Sequence, residues 1–292
     1  MRTLSNGILE LEVSELGAEI QSLRKVSSNK EYIWNADPRY WSKHAPILFP
    51  IIGNPGKEGI VCKGEAYPIR KHGFVPELTF ACTEGDRILE FVTSDNEDTR
   101  KVFPYNFRLE IIYQLSRNKV IQKFRVQHTG TEGVMPFQIG GHPAFFLPDF
   151  KEEDIVHGYL SFNGIESVQS NEINPNGHYT EKILPFELDE KGMLPLKKDT
   201  FDCDTILETR GIINRTSLYN KERKPILTVK ANAKTTAYWS PTGQNAPFVC
   251  IEPWFGCCRK EGETAVLADR EMTTLLQPGE VYEAEMEIII EE

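Results

Sequence analysis

The sequence of 292 residues predicts an all-β protein, because apolar and polar side chains alternate along much of it and helical periodicity is scarce. No segment keeps the apolar spacing of an amphipathic helix over three turns. Eighteen prolines and twenty-one glycines fall between the strand candidates, as turn residues do. Many short strands without helices favour a sandwich or a related closed sheet. No linker or change in composition divides the chain, so we expect one domain over residues 1–292.

Strand candidates are spread over the whole chain. In chain order they are residues 9–13, 88–93, 107–115, 120–126, 159–162, 217–219, 226–230, 236–240 and 282–290. The three residues Arg117-Asn118-Lys119 between two of these strands are typical of a hairpin turn. Residues 149–198 form the most polar and least regular segment, which predicts a long loop region over one end of the sheets.

Charge and cysteine content exclude several classes of protein. The net charge of -10 and the pI near 5.3 argue against a nucleic-acid or anionic-membrane partner, because phosphate groups would be repelled. No stretch approaches the roughly 18 apolar residues of a membrane span. The six cysteines match neither a disulfide framework nor a zinc motif. We therefore expect a cytoplasmic protein with reduced cysteines.

Three short stretches place an ionisable residue in an apolar context bounded by glycine or proline, at residues 70–74, 140–146 and 250–256. Glu252 follows four apolar residues; if it ends a buried strand, desolvation raises its pKa and suits it to general-base catalysis. His142 follows two glycines, which permit a close approach of the backbone. Phe145, Phe146 and Trp254 could provide an apolar platform for a ligand. Each residue also fits a purely structural role, and sequence spacing alone does not bring them together.

A metal site is not predicted, although histidine and glutamate are good ligands. None of the six histidines shows a short ligand spacing such as His-x-His.

Seven segments, taken together in chain order, resemble the aldose 1-epimerase (galactose mutarotase-like) superfamily, and more closely its LacX-type branch. The most distinctive are His72-Gly73-Phe74, Gly141-His142-Pro143-Ala144-Phe145 and Ile251-Glu252-Pro253-Trp254-Phe255-Gly256. The other four are residues 11–23, 46–54, 204–207 and 276–280. The resemblance runs nearly end to end and is specific to the superfamily rather than to one sugar.

This resemblance implies a large antiparallel β-sandwich, the galactose mutarotase-like supersandwich, with a sugar cleft across one sheet. It implies an aldose 1-epimerase that interconverts the α and β anomers of a hexose. Glu252 would be the general base, His142 the general acid, and His72 a supporting hydrogen-bond donor, while Asp204 and Asn54 would bind the sugar. The expected partner is a small-molecule sugar, the chain being a monomer or homodimer, with neither cofactor nor metal.

Two positions depart from the family pattern. The family often carries arginine where this chain has Asn54, and Ala-Arg where it has Val75-Pro76. These arginines help bind the sugar in relatives. A hexose-6-phosphate 1-epimerase, the first alternative, would need a cationic phosphate site, for which Lys57, Arg70 and Lys71 are near in sequence.

Two further alternatives remain open. One is a non-catalytic sugar-binding protein that has kept the fold, since a fold does not determine a function. The other is a glycosidase, which needs two carboxylates beside the scissile bond. Glu252 and Asp204 would have to supply them, and no motif supports that pairing.

Overall fold

A computed structural model describes residues 1–292 and consists almost entirely of β-strands, as the sequence predicts. One α-helix, α1 (Glu97–Arg100), and two 3-10 helices, Val75–Glu77 and Leu267–Asp269, are its helical segments, and no helix is long and apolar enough to cross a membrane. The strands are β1 (Arg2–Ser5), β2 (Leu9–Val13), β3 (Ile20–Lys25), β4 (Lys30–Glu31), β5 (Ile47–Leu48), β6 (Ile60–Cys62), β7 (Glu65–Tyr67), β8 (Ala81–Gly85), β9 (Ile88–Ser94), β10 (Phe107–Ser116), β11 (Lys119–His128), β12 (Met135–Phe137), β13 (Ile139–Gly141), β14 (Ala144–Phe146), β15 (Gly158–Ser161), β16 (Val168–Ile173), β17 (Tyr179–Phe186), β18 (Met193–Leu196), β19 (Ile206–Glu208), β20 (Arg215–Tyr219), β21 (Pro225–Ala231), β22 (Thr235–Trp239), β23 (Phe248–Phe255), β24 (Thr274–Leu276) and β25 (Val281–Ile290).

Two large antiparallel sheets form the framework. Nine strands are ordered β18-β15-β20-β21-β25-β11-β10-β9-β8, and six belong to a second sheet ordered β19-β22-β23-β13-β5, in which β14 also pairs with β23. A four-stranded sheet of β1 to β4 and three two-stranded ribbons complete the fold. The hairpin between β10 and β11 closes at Arg117 and Asn118, as predicted, with Ser116 paired to Lys119.

The two large sheets pack face to face, which confirms the β-sandwich. Phe124 of the nine-stranded sheet contacts Phe255 of the six-stranded sheet, with ring centroids 5.8 Å apart. The hydroxyls of Thr216 and Tyr238 form a hydrogen bond of 2.7 Å across the same interface. A continuous cluster of 58 buried apolar residues fills the core and includes side chains from both sheets. Burial of this apolar surface is the main force that holds the sheets together.

The prediction of a long loop over residues 149–198 was wrong. The structure places β15 to β18 there, of which β15 matches the strand predicted at residues 159–162, and β15 and β18 form one edge of the nine-stranded sheet. β16 and β17 pair only with each other in a ribbon. Much of β17 is exposed, so its sequence lacks the regular apolar alternation that marks a strand packed on a core.

Candidate active site

Glu252 lies on β23, the central strand of the six-stranded sheet. Successive side chains of a strand point to opposite faces. Ile251 and Phe255 enter the main core between the sheets, whereas Cys250, Glu252 and Trp254 share the other face. Every residue of β23 is buried, so this second face is covered as well, and Glu252 is only 1% exposed.

The pairing of β23 with its neighbours brings His142 beside Glu252. Gly140 of β13 is opposite Trp254, and Ala144 of β14 is opposite Cys250. The residue midway between the two pairs on one strand is His142, and on the other it is Glu252. The register of an antiparallel pair therefore sets these two side chains next to each other.

Gly140 allows this close approach, as the two glycines before His142 suggested. A Cβ atom at Gly140 would lie 2.9 Å from Cδ1 of Trp254 and 3.1 Å from the carbonyl oxygen of Pro253. A larger residue would therefore push β13 and β23 apart or displace Trp254.

His142 and Glu252 form a buried pair. Nε2 of His142 lies 3.2 Å from Oε2 of Glu252. The indole Nε1–H of Trp254 donates a hydrogen bond of 3.2 Å to the same carboxylate oxygen. The ring of Trp41 stacks on the imidazole at a centroid distance of 4.9 Å, and the ring of Trp239 meets it edge-on at 6.0 Å. These aromatic rings hold the imidazole in place and exclude water from one side.

Burial determines the protonation of this pair. Loss of hydration raises the pKa of Glu252 well above its ordinary value, although the charge of Lys71 and the hydrogen bond from Trp254 act in the opposite direction. Burial lowers the pKa of His142 to about 3. Its Nδ1 has no hydrogen-bond partner, and an imidazolium would need one for each N–H. Burial therefore disfavours the charged form of both groups, and the contact of 3.2 Å offers a path for proton transfer between them.

His72 contacts the pair from a neighbouring loop. The backbone N–H of Gly53 donates a hydrogen bond of 3.1 Å to Nδ1 of His72. The neutral ring therefore carries its proton on Nε2. Its centroid lies 5.7 Å from that of His142, and burial together with the nearby His142 lowers its pKa well below the ordinary value.

The pair opens into a cavity of about 370 Å³, within the range of small-molecule sites. Four of the five residues predicted from the sequence line it together, namely His72, His142, Asp204 and Glu252. Asp204 reaches the cavity from the turn directly before β19.

Asn54 is not among the residues that line this cavity, although its neighbour Gly53 is. The side-chain amide of Asn54 donates a hydrogen bond of 2.9 Å to the carbonyl oxygen of Asn176, and its oxygen accepts one of 3.1 Å from the N–H of Gly56. It therefore joins two loops at the rim of the cavity.

The sequence reasoning missed most of the cavity wall. Of the three aromatic residues considered as a platform, Trp254 lines the cavity, whereas Phe145 belongs to the main core. Phe146 packs against Trp34 instead. The other aromatic side chains of the cavity are Trp41 and Trp239. Neither belongs to one of the motifs, so no local signal marked them.

Three side chains of types that can ligate a metal ion also meet on this face of the sheet. One ligand atom from each of His142, Cys250 and Glu252 lies within 4.8 Å of the other two.

A sequence model of the aldose 1-epimerase family matches residues 1–288 of this chain. The chain belongs to the aldose 1-epimerase family. Two LacX proteins of Lactococcus lactis subsp. lactis, one encoded on a plasmid and one on the chromosome, share 29% identity with this family member over 98% of each chain.

Solved structures agree with this assignment. A galactose mutarotase related enzyme from Lactobacillus acidophilus superimposes with a TM-score of 0.90 at 28% identity, covering 100% of this chain and 97% of that one. A galactose mutarotase-like protein from Lactobacillus casei ATCC 334 gives a TM-score of 0.92 at 26% identity, with both chains fully covered. The galactose mutarotase-like fold implied by the sequence motifs is thereby confirmed.

Proposed function

We propose that this chain is an aldose 1-epimerase that interconverts the α and β anomers of a hexose by acid–base ring opening and reclosure. The observation that carries this proposal is the contact of 3.2 Å between Nε2 of His142 and Oε2 of Glu252 at the wall of a cavity large enough for a sugar. Epimerisation needs one proton removed from the anomeric hydroxyl and one delivered to the ring oxygen. A base and an acid held side by side provide both transfers.

The proton on the carboxyl group of Glu252 sets the order of events in this proposal. Its transfer from Glu252 to His142 across their contact creates a carboxylate and an imidazolium. The carboxylate of Glu252 then takes the proton of the anomeric hydroxyl, while His142 protonates the ring oxygen as the C1–O5 bond breaks. The open aldehyde rotates about C1–C2 and recloses on its other face with the proton transfers reversed. His72 donates a hydrogen bond from Nε2 near the ring oxygen, and Asp204 accepts hydrogen bonds from sugar hydroxyls.

The test is the rate at which freshly dissolved α-glucose or α-galactose reaches anomeric equilibrium, followed by polarimetry. We expect the chain to accelerate equilibration and Glu252→Gln to lose that acceleration by roughly a hundredfold or more, because the amide keeps the shape but is not a base. Glu90→Gln makes the same change on β9, away from the cavity, and should retain the rate.

Two results would count against the proposal. An unchanged rate in Glu252→Gln would remove Glu252 from its assigned role. Sugar binding by the natural sequence without any acceleration would favour the non-catalytic sugar-binding alternative.

A second candidate, a hexose-6-phosphate 1-epimerase, is favoured by the charges of the cavity wall. Lys43 and Lys71 both line the cavity, and neither forms an ion pair or a side-chain hydrogen bond. Arg70 also lines it but is paired with Glu77. Two unpaired ammonium groups beside a sugar site suit an anionic substituent such as phosphate.

A further inference from the structure

Three side chains of different ligand type meet beside the cavity. Cys250 and Glu252 project from the same face of β23, and His142 lies across the strand pairing from Glu252. Each offers one ligand atom, and the three atoms lie within 4.8 Å of one another. Imidazole, thiolate and carboxylate are the three groups by which proteins bind Zn²⁺.

The spacing of these atoms is close to what a metal ion requires. Ligand atoms of a tetrahedral ion with bonds of about 2.0 to 2.3 Å lie roughly 3.3 to 3.8 Å apart. The pair Nε2 of His142 and Oε2 of Glu252, at 3.2 Å, already has nearly this separation. The distances to the sulfur of Cys250 are at most 4.8 Å, which exceeds this range by about 1 Å.

The surroundings favour one class of metal. Three protein ligands leave a fourth position open, and the cavity in front of His142 and Glu252 gives room there for a water molecule. Nitrogen and sulfur ligands select Zn²⁺, Co²⁺ and similar ions, whereas Mg²⁺ and Ca²⁺ prefer oxygen ligands alone. The thiol of Cys250 is fully buried among apolar side chains. Metal binding requires a thiolate, a carboxylate and a free lone pair on Nε2 of His142, so the proton of the thiol and any proton held between Glu252 and His142 pass to solvent as the bonds to the metal form.

We propose that His142, Cys250 and Glu252 together bind a divalent transition-metal ion of the Zn²⁺ class, and that the bound ion inhibits the enzyme. The inhibition follows because the ion occupies the lone pairs of both His142 and Glu252, which leaves neither an acid nor a base for the sugar. Only this second half rests on the proposed function; the binding of the ion does not. Cys250 needs no part in the epimerase reaction.

The binding test uses Co²⁺, which replaces Zn²⁺ and shows a thiolate-to-metal charge-transfer band in the near ultraviolet when a cysteine is a ligand. Titration of the natural sequence with Co²⁺ should produce this band at one equivalent. Cys250→Ala and Cys250→Ser should both lose the band and weaken Co²⁺ binding by roughly tenfold or more. Cys82→Ala removes a half-buried cysteine on β8 and should leave both unchanged. Circular dichroism of the apo variants checks that each is folded.

The metal site would be overturned if the natural sequence showed no charge-transfer band, or if a folded Cys250 variant kept the band. This outcome does not depend on whether the protein has epimerase activity.

The inhibition is tested by polarimetry with Zn²⁺. Zn²⁺ should slow the natural enzyme, EDTA should restore the rate, and Cys250→Ala should keep its activity at Zn²⁺ concentrations that inhibit the natural sequence. Equal inhibition of both by Zn²⁺ would contradict the assigned ligand set. If no epimerase activity exists, the Co²⁺ result still decides the site.

Discussion

The environment of Glu252 and His142 disfavours the charged form of both side chains. In water near neutral pH a glutamate is ionised. Here burial makes the charged form of each group costly, and the 3.2 Å contact lets one proton move between them. The pair reaches its charged, reactive arrangement without taking up or releasing a proton. The fold must therefore keep a carboxyl group buried. This lowers the stability of the folded state at every pH at which the same group is ionised in the unfolded chain.

We expect Glu252→Gln to stabilise the protein increasingly as the pH rises. The folded pKa of Glu252 is raised, so between its ordinary pKa near 4.5 and the folded pKa the unfolded chain has lost a proton that the folded chain keeps. The natural protein therefore loses about 1.4 kcal/mol of stability per pH unit in this window, whereas glutamine does not titrate. The free energy of unfolding, measured in urea at pH 4.5 and 7.5, should show the two proteins closer at the lower pH.

The lowered pKa of His142 has the opposite sign, since it destabilises the folded state as the pH falls below 6.5. Both proteins contain His142, so the comparison reports the titration of Glu252 together with any change that its loss causes in the titration of His142. A stability difference that is the same at both pH values would show that Glu252 titrates normally in the folded state.

At the level of elements, the site depends on how three short strands meet β23. β13 and β14 are separated by only two residues, and both pair with β23 in one continuous register. The gap between β13 and β14 consists of His142 and Pro143. The backbone N–H of His142 donates a hydrogen bond of 3.0 Å to the carbonyl oxygen of Pro46. β22 pairs with the other edge of β23 and sets Ala237 opposite Glu252. A small side chain there leaves room beside the carboxylate.

Gly140→Ala should lower both activity and stability. The added Cβ would meet Cδ1 of Trp254 at 2.9 Å, so Trp254 must move, and Trp254 donates a hydrogen bond to Glu252. We expect a loss of about 1 to 3 kcal/mol of unfolding free energy from overpacking. The epimerase rate should fall by about tenfold to a hundredfold, because small displacements of reacting groups are costly. Thermal unfolding and polarimetry measure the two effects.

Gly85→Ala is the matched control. Gly85 also lies on a strand, and the nearest atom to an added Cβ there is 3.9 Å away. Its rate should stay close to that of the natural sequence. A Gly140→Ala protein with full activity would show that the position of Trp254 does not matter to the pair.

For the whole molecule, the net charge is negative, whereas the unpaired charges at the cavity wall are positive. The chain carries a net charge of -10, yet two unpaired lysines, Lys43 and Lys71, face the cavity. The net charge argues against nucleic acids and anionic membranes as partners but gave no information about this site. Charges within a few ångströms of a ligand matter more than distant ones, which salt screens.

Lys43→Gln combined with Lys71→Gln tests whether the natural sugar is phosphorylated. If it is, the KM for a hexose 6-phosphate should rise by roughly fivefold for each lysine removed, since a close charge pair in water contributes about 1 kcal/mol. The KM for the unphosphorylated hexose should change little. Lys123→Gln on β11 is the control for the loss of charge alone. Equal changes for the two sugars would argue against a phosphate-binding role.

The amino-acid sequence by itself predicted the most regular strands, such as β10, β11 and β25, and the hairpin turn at Arg117, because each depends on local alternation or on neighbouring residues. It did not mark several buried strands, among them β23, and it made the burial of Glu252 a condition that the structure then met within that strand. Its motifs in family order also indicated the fold and four residues that share the cavity. Strands β16 and β17 escaped because much of their ribbon faces solvent and has little apolar pattern to reveal it. Strand β18 escaped because it has only four residues, one of them a proline.

Only the tertiary structure decided which distant residues touch. The contact between His142 and Glu252, the addition of Cys250 to them, the stacking of Trp41 and the position of Asn54 at the rim all follow from strand register and loop packing. Strand register is set by pairing between segments that are far apart in the chain. Which segments pair depends on how much apolar surface the whole sandwich buries. The residues of one segment therefore do not indicate which other segment it pairs with.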